Sequence, residues 1–245
     1  MRIEVQIDGM GDFLGIRAPF DGALEALRLE GIEGPLSFAE MARARIAAGE
    51  ASELCTTGAF VREAVVHTET GPTYYVRNSP LLDIERIRSV IHFHNMLEAV
   101  QGTERDHSGF GEIYFGDILE KSLFDSIAAY AVEDAGKVPW ERRVLTVPQT
   151  KSFRIPVERF DKEELTLWLF DGPLKARAYG EFLAKSGIRE SPVWLVEWLV
   201  PDPARKPFIR QLFFGALKFG SSINGGRRLG FDDGLMGGVW VAKGQ

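Results

Sequence analysis

PFIRQLFFGALKFGSSINGGRRLGFDDGLMGG, residues 207–238, is the stretch whose reading decides the fold. Its apolar first part, 207–219, reads as a helix, and the glycines that follow read as a loop. Glycine lets a backbone adopt positive φ and approach a ligand closely, and arginine supplies a planar fork of donors for phosphate oxygens. Gly225, Gly226, Arg227, Arg228 and Gly230, with Lys218 nearby, are therefore read as an anion-contacting loop. Asp232 and Asp233 repel phosphate, which confines the contact to Gly225–Gly230. The stretch contains no G-x-x-x-x-G-K-[ST] signature.

Working outward, Val193–Val200 and Leu165–Phe170 are apolar runs read as strands, with a helix over Leu174–Ala184 between them. Val144–Val157 alternates but carries Pro148 and Pro156, which suits an edge strand or irregular ribbon. Gly109–Asp117 is a turn into a short strand, Ile118–Val132 an amphipathic helix, and Leu82–Val100 another. Thr57–Thr68 and Thr73–Arg77, joined by Gly71-Pro72, form a hairpin whose second arm presents Tyr74 and Tyr75 beside Arg77. Ser37 and Glu40 make a capping box for a helix that Gly49 stops. A further helix covers Ala23–Glu30 with Asp21 as its cap, and Gly9–Gly15 is a turn. Arg2–Asp8 alternates Ile3, Val5 and Ile7 with polar residues, the period of a half-buried strand. Val239–Val241 closes a sheet. No fixed-period repeat or low-complexity linker divides the chain, so one compact α+β domain is expected over 1–245, with a hairpin and helical insertion at 57–108.

The chain has 245 residues, a formal charge of −6 and a single cysteine, Cys55. One cysteine forms no internal disulfide and no thiolate zinc cage, which fits a reducing compartment. No apolar run approaches the roughly 18–20 residues of a bilayer span, and Met1–Gly11 lacks a signal-peptide core, so a cytoplasmic protein without a membrane partner is expected. The charge is uneven. Residues 134–160 hold six Lys/Arg against three Asp/Glu, and residues 201–245 seven against three. Arg142, Arg143, Lys151 and Arg154 thus join the C-terminal cations as candidates for backbone contact with a single strand, and Tyr74, Tyr75 and Arg77 for stacking on a base.

Catalytic signals are sparse, and an enzyme is not the leading expectation. His92 and His94, two apart, share a face on a strand but diverge on a helix, which is the predicted state. With Asp106 and His107 they remain the alternative: a metal-dependent hydrolase. No H-E-x-x-H or G-x-S-x-G motif occurs, Asp8, Asp12, Asp232 and Asp233 lie in glycine-bearing turns, and no cofactor is expected. Trp168, Trp194 and Trp198 lie in apolar runs and read as core.

Three segments resemble the RAMP superfamily of CRISPR-associated proteins: the opening R-I-E-V-Q-I with Pro19–Leu24, GEIYFGDI at 111–118, and LFFGALKFGSSINGGRRLGF at 212–231. The resemblance covers about a third of the chain. It implies one or two ferredoxin-like (RRM-like) units with the 57–77 hairpin projecting. It also implies a non-catalytic RNA-binding subunit of a CRISPR-type ribonucleoprotein complex for antiviral defence. Its partners would be single-stranded guide RNA, other subunits and target nucleic acid, with Gly225, Gly226, Arg227, Arg228 and Gly230 at the RNA backbone. A non-enzymatic structural assembly protein is the other reading.

Overall fold

The alternating residues at the start of the chain form strand β1 (Arg2–Ile7), while Gly11–Gly15, expected to belong to a turn over Gly9–Gly15, lie in a second strand, β2 (Gly11–Arg17). The computed structural model describes residues 2–7, 11–68, 71–90, 116–148, 151–195, 207–225 and 235–240. The other strands are β3 (Ala59–His67), β4 (Thr73–Val76), β5 (Gly116–Ile118), β6 (Val144–Val147), β7 (Phe153–Pro156), β8 (Glu190–Trp194), β9 (Phe208–Phe214), β10 (Ile223–Asn224) and β11 (Leu235–Trp240). They form one mixed sheet in the order β1-β2-β11-β3-β9-β10-β8-β7, while β4 pairs with β3 and β6, and β5 with β9. The C-terminal β11 lies between β2 and β3, antiparallel to the first and parallel to the second. A ferredoxin-like unit is built from one β-α-β-β-α-β series, so this order overturns that expectation.

Both faces of the sheet are covered. On one, Val65, Tyr75, Leu145, Val193 and Phe214 pack with Phe38, Met41, Trp168 and Tyr179. These come from helices α2 (Phe38–Ala48), α5 (Glu164–Leu169) and α6 (Pro173–Lys185). On the other, Phe60, Ala64, Val66, Ile209 and Phe213 meet Phe20, Leu24 and Leu27 of α1 (Phe20–Leu29), Ile87 of the helical stretch 84–90, and Ile127 of α4 (Lys121–Glu133). A strand with two buried faces has no polar phase. All seven residues of β9 are buried, which is why 207–219 read as a helix from its sequence. Leu165–Phe170 errs in the opposite direction. Within α5 the buried residues are Leu165, Thr166, Trp168 and Leu169, the i, i+1, i+3, i+4 spacing of a helix face, and a helix forms.

Local chemistry is obeyed at α2. Ser37 accepts from the Glu40 N–H while the Glu40 carboxylate accepts from the Ser37 N–H, and Gly49 ends the helix at φ 80°. At α1 the flanking residue is Pro19, with no side-chain cap, and Asp21 sits inside the first turn. The 57–77 hairpin exists, yet it does not project. β3 is an interior strand flanked by β11, β9 and β4, and the β3–β9 register shifts between Phe60 and Ala64. Within that irregularity Glu63 is fully buried, and its two carboxylate oxygens accept the Phe38 N–H at 3.1 and 2.9 Å. Burial pushes the Glu63 carboxyl up to about 8, against the pull of the backbone hydrogen bonds and of Arg77 and Arg62. The short helix α3 (Glu53–Thr56) leads into β3 and holds buried Cys55, whose thiol burial pushes up. Among the described residues no helix is long and apolar enough to cross a membrane.

Candidate recognition groove

Strand β8 alternates in exposure. Ser191 and Val193 are buried, while Glu190 and Trp194 face outward with the half-buried Pro192. The register carries this outer face sideways: Arg154 of β7 lies opposite Pro192, Asn224 of β10 beside Trp194, and Phe213 of β9 beside Asn224. These residues floor a groove of about 840 Å³. Arg17 from the end of β2, Thr56–Gly58 ahead of β3, and the 215–222 loop complete its walls. Trp194 is 48% exposed and Phe219 is 64% exposed, two of the large apolar side chains that the fold leaves in solvent.

The 215–222 loop is built to hold Lys218 and Phe219 outward while Ala216, Ser221 and Ser222 are buried. The Gly215 N–H donates to the Ser222 carbonyl at 2.7 Å, so closely that a Cβ on Gly215 would overlap the Ser222 hydroxyl. A 3-10 turn, Leu217–Phe219, then lifts Lys218 and Phe219, with the Lys218 ammonium 5.0 Å from the Phe219 ring centre. Gly220 ends the turn at φ 71°, and Ser221 follows at φ 53°, a left-handed conformation rare for a residue with a Cβ. Contacts compensate that strain. The Ser221 hydroxyl lies 2.6 Å from the Tyr179 hydroxyl, and the Ser221 carbonyl accepts from the Ser191 hydroxyl at 2.8 Å.

Beneath this loop lies Arg45, an α2 side chain with no solvent exposure. Its guanidinium donates to the carbonyls of Leu54 (2.8 Å), Thr57 (3.0 Å), Phe214 (3.1 Å) and Gly215 (2.8 Å), and to the Ser221 hydroxyl (3.2 Å). It also stacks on the Phe214 ring at 4.1 Å. All of these partners are neutral oxygens or an aromatic face, so a positive charge sits behind the groove wall formed by Thr57 and the loop and ties α2, α3, β9 and the loop together. With Arg17, Arg154 and Lys218 against Glu190 among the described lining residues, this part of the groove favours anions in a chain of charge −6.

The sequence-derived candidates disperse. Arg154 and Lys218 meet in the groove, with Arg154 paired to Glu190 at 3.5 Å. Lys151 is exposed in the turn before β7 and is not part of the lining. Tyr75 is fully buried against Trp168, and half-buried Tyr74 packs edge-on to Phe124. Arg77 stacks on Trp168 and pairs with Asp171 at 2.8 Å. Tyr74, Tyr75 and Arg77 thus serve packing where base stacking was expected. Gly225 is buried too: its carbonyl accepts from Arg210, and a Cβ there would press on Val65. Arg142 pairs with Glu164, and Arg143 with Glu133 and buried Asp134; the hydrogen bonds from Arg143 and Lys137 hold the Asp134 carboxyl well below the usual carboxylate range. Gly226, Arg227, Arg228, Gly230, His92, His94, Asp106 and His107 lie outside the described residues. Among the described residues no group of His, Cys, Asp and Glu could hold a metal.

Trp194 and Phe219 were missed as site residues because each sits in an apolar run. A signal was present for Trp194, since Glu190 shares its phase along β8 whereas Val193 and Leu195 share the other.

No family model matches the chain, and no characterised protein matches it by sequence. Among solved structures it is similar to one described as accommodating massive sequence variation in Nanoarchaeota by the C-type lectin fold. The TM-score is 0.62 over 98% of each chain, at 17% identity. That likeness is one of fold, and it replaces the ferredoxin-like expectation with a C-type lectin fold. The RAMP resemblance implied a ferredoxin-like scaffold, and without that scaffold the RAMP, CRISPR and antiviral-defence assignments have no support in the fold.

Proposed function

We propose that this chain is a binding protein and that the groove at Trp194 and Phe219 is its recognition surface. The observation that carries the reading is the pairing of two exposed aromatic side chains and three lining cations with walls held by the Arg45 network. Aromatic and arginine side chains are the residue types that dominate interface energetics, and a rigid support lowers the ordering cost of binding. Among the described residues the lining includes no histidine or cysteine, and Glu190 is engaged with Arg154, which supports a binding role. The similar Nanoarchaeota structure is described as accommodating massive sequence variation, a property that needs a scaffold whose stability is separate from its exposed face. Here the core and the Arg45 network are buried, while Arg154, Trp194, Lys218 and Phe219 are exposed.

Combined randomisation of Arg17, Arg154, Trp194, Lys218 and Phe219 tests the reading. Most variants should stay folded by protease resistance, and displayed libraries should yield binders to arbitrary targets. Loss of folding in most variants would sink the proposal.

A further inference from the structure

We infer that the groove's partner is an acidic segment of another protein, an extended loop in which carboxylates flank an aromatic or large apolar side chain. This rests on the groove being the recognition surface. Four observations select that chemistry. Among the described lining residues Arg17, Arg154 and Lys218 carry positive charge, and Glu190, which pairs with Arg154 at 3.5 Å, carries negative charge. Arg45 adds a positive charge behind the wall formed by Thr57 and the 215–222 loop, and every one of its hydrogen-bond partners is a neutral oxygen. Charge there is screened less than at the surface, so it favours an anion in the groove even at moderate salt. Trp194 and Phe219 supply flat apolar area for a ring or an aliphatic side chain.

The fourth observation concerns extent. The chain's charge of −6 makes this anion-favouring face a local exception. A short acidic segment needs favourable potential over the groove alone, whereas a long polyanion needs it over a longer path on a chain of net negative charge. Single-stranded nucleic acid is therefore the disfavoured occupant and becomes an outcome of the test.

The experiment selects a phage-displayed library of random short peptides on the whole chain, in parallel with Trp194→Ala, Phe219→Ala and the Arg154→Glu, Lys218→Glu double variant. A fluorescent oligouridylate of about twelve nucleotides, within the usual site size for single strands, is titrated alongside. The inference expects enriched peptides to combine Asp or Glu with Trp, Tyr, Phe or Leu. Their binding falls about tenfold or more in Trp194→Ala, the loss typical of a central aromatic anchor. In the double charge variant the enrichment turns to Lys and Arg. Peptides without acidic bias that still need Trp194 would overturn the acidic class and leave the recognition surface standing. Trp194-dependent binding of the oligouridylate with no peptide enrichment would overturn the protein partner in the same way. Indifference of every bound probe to all of these substitutions, each at an exposed position, would overturn the surface itself.

Discussion

Replacing Glu63 with glutamine flattens the pH dependence of stability between pH 6.5 and 8. The group is fully buried at the start of α2, and its carboxyl is pushed from an ordinary 4.5 up to about 8. Between those values the folded chain holds a proton that the unfolded chain has released, so stability falls as pH rises. The slope approaches about 1.4 kcal/mol per pH unit while the native group remains protonated. Integrated from pH 6.5 to 8, the loss is about 1.5 kcal/mol, an order-of-magnitude value. His67 acts over a different window. Burial, with help from Arg210, pushes it down to about 3, so its contribution is lost as pH falls below 6.5 and is constant above it. Urea titrations of the wild type and Glu63→Gln at the two pH values isolate the effect, because glutamine mimics the protonated carboxyl and groups titrating elsewhere cancel in the difference. A wild-type midpoint that is flat or rises with pH, or a variant that keeps the wild-type slope, would refute the reasoning.

Four further substitutions test the scaffold. Arg45→Met strips donors from the buried carbonyls of Leu54, Phe214 and Gly215 and costs about 3–5 kcal/mol in denaturant titrations, with the 215–222 loop losing hydrogen-exchange protection. Gly215→Ala forces a methyl onto Ser222 and destabilises by about 1–3 kcal/mol, read as a lowered thermal midpoint. Ser37→Ala removes half of the α2 capping box at a cost of about 1 kcal/mol, while Thr56→Ala at the end of α3, where its hydroxyl makes a 3.4 Å bond, changes stability by less than about 0.5 kcal/mol in the same titration.

Legibility in the sequence follows the range of the physics. The α2 capping box and the β1 alternation are set by residues within a few positions of one another, and both were readable. The helices over Lys121–Glu133 and Pro173–Lys185 were readable for the same reason. β9 was not, because its burial on both sides depends on helices from distant parts of the chain. β2 was hidden by Gly11 and Gly15, which look like turn residues alone; Gly15 in fact pairs with both Ile3 and Gly237 inside the sheet. The glycine-rich C-terminus misled in the same way. Gly215, Gly225 and Gly237 mark close approaches of this chain to itself, a use of glycine indistinguishable in sequence from close approach to a ligand. Of the site, Arg154 and Lys218 were legible as cations. Their meeting with Trp194 and Phe219 depends on β7, β8 and β10 being neighbours, which no local pattern encodes.

The most direct test of the central claim is a single comparison of the wild type with the Trp194→Ala, Phe219→Ala double variant, measuring thermal midpoint and affinity for a peptide selected on the wild type. Both side chains are largely exposed, so the midpoint should hold while affinity drops by at least an order of magnitude, the signature of anchor residues on an independent scaffold. Unchanged affinity in a folded double variant would contradict the account, for the groove would then not be where this protein meets its partner.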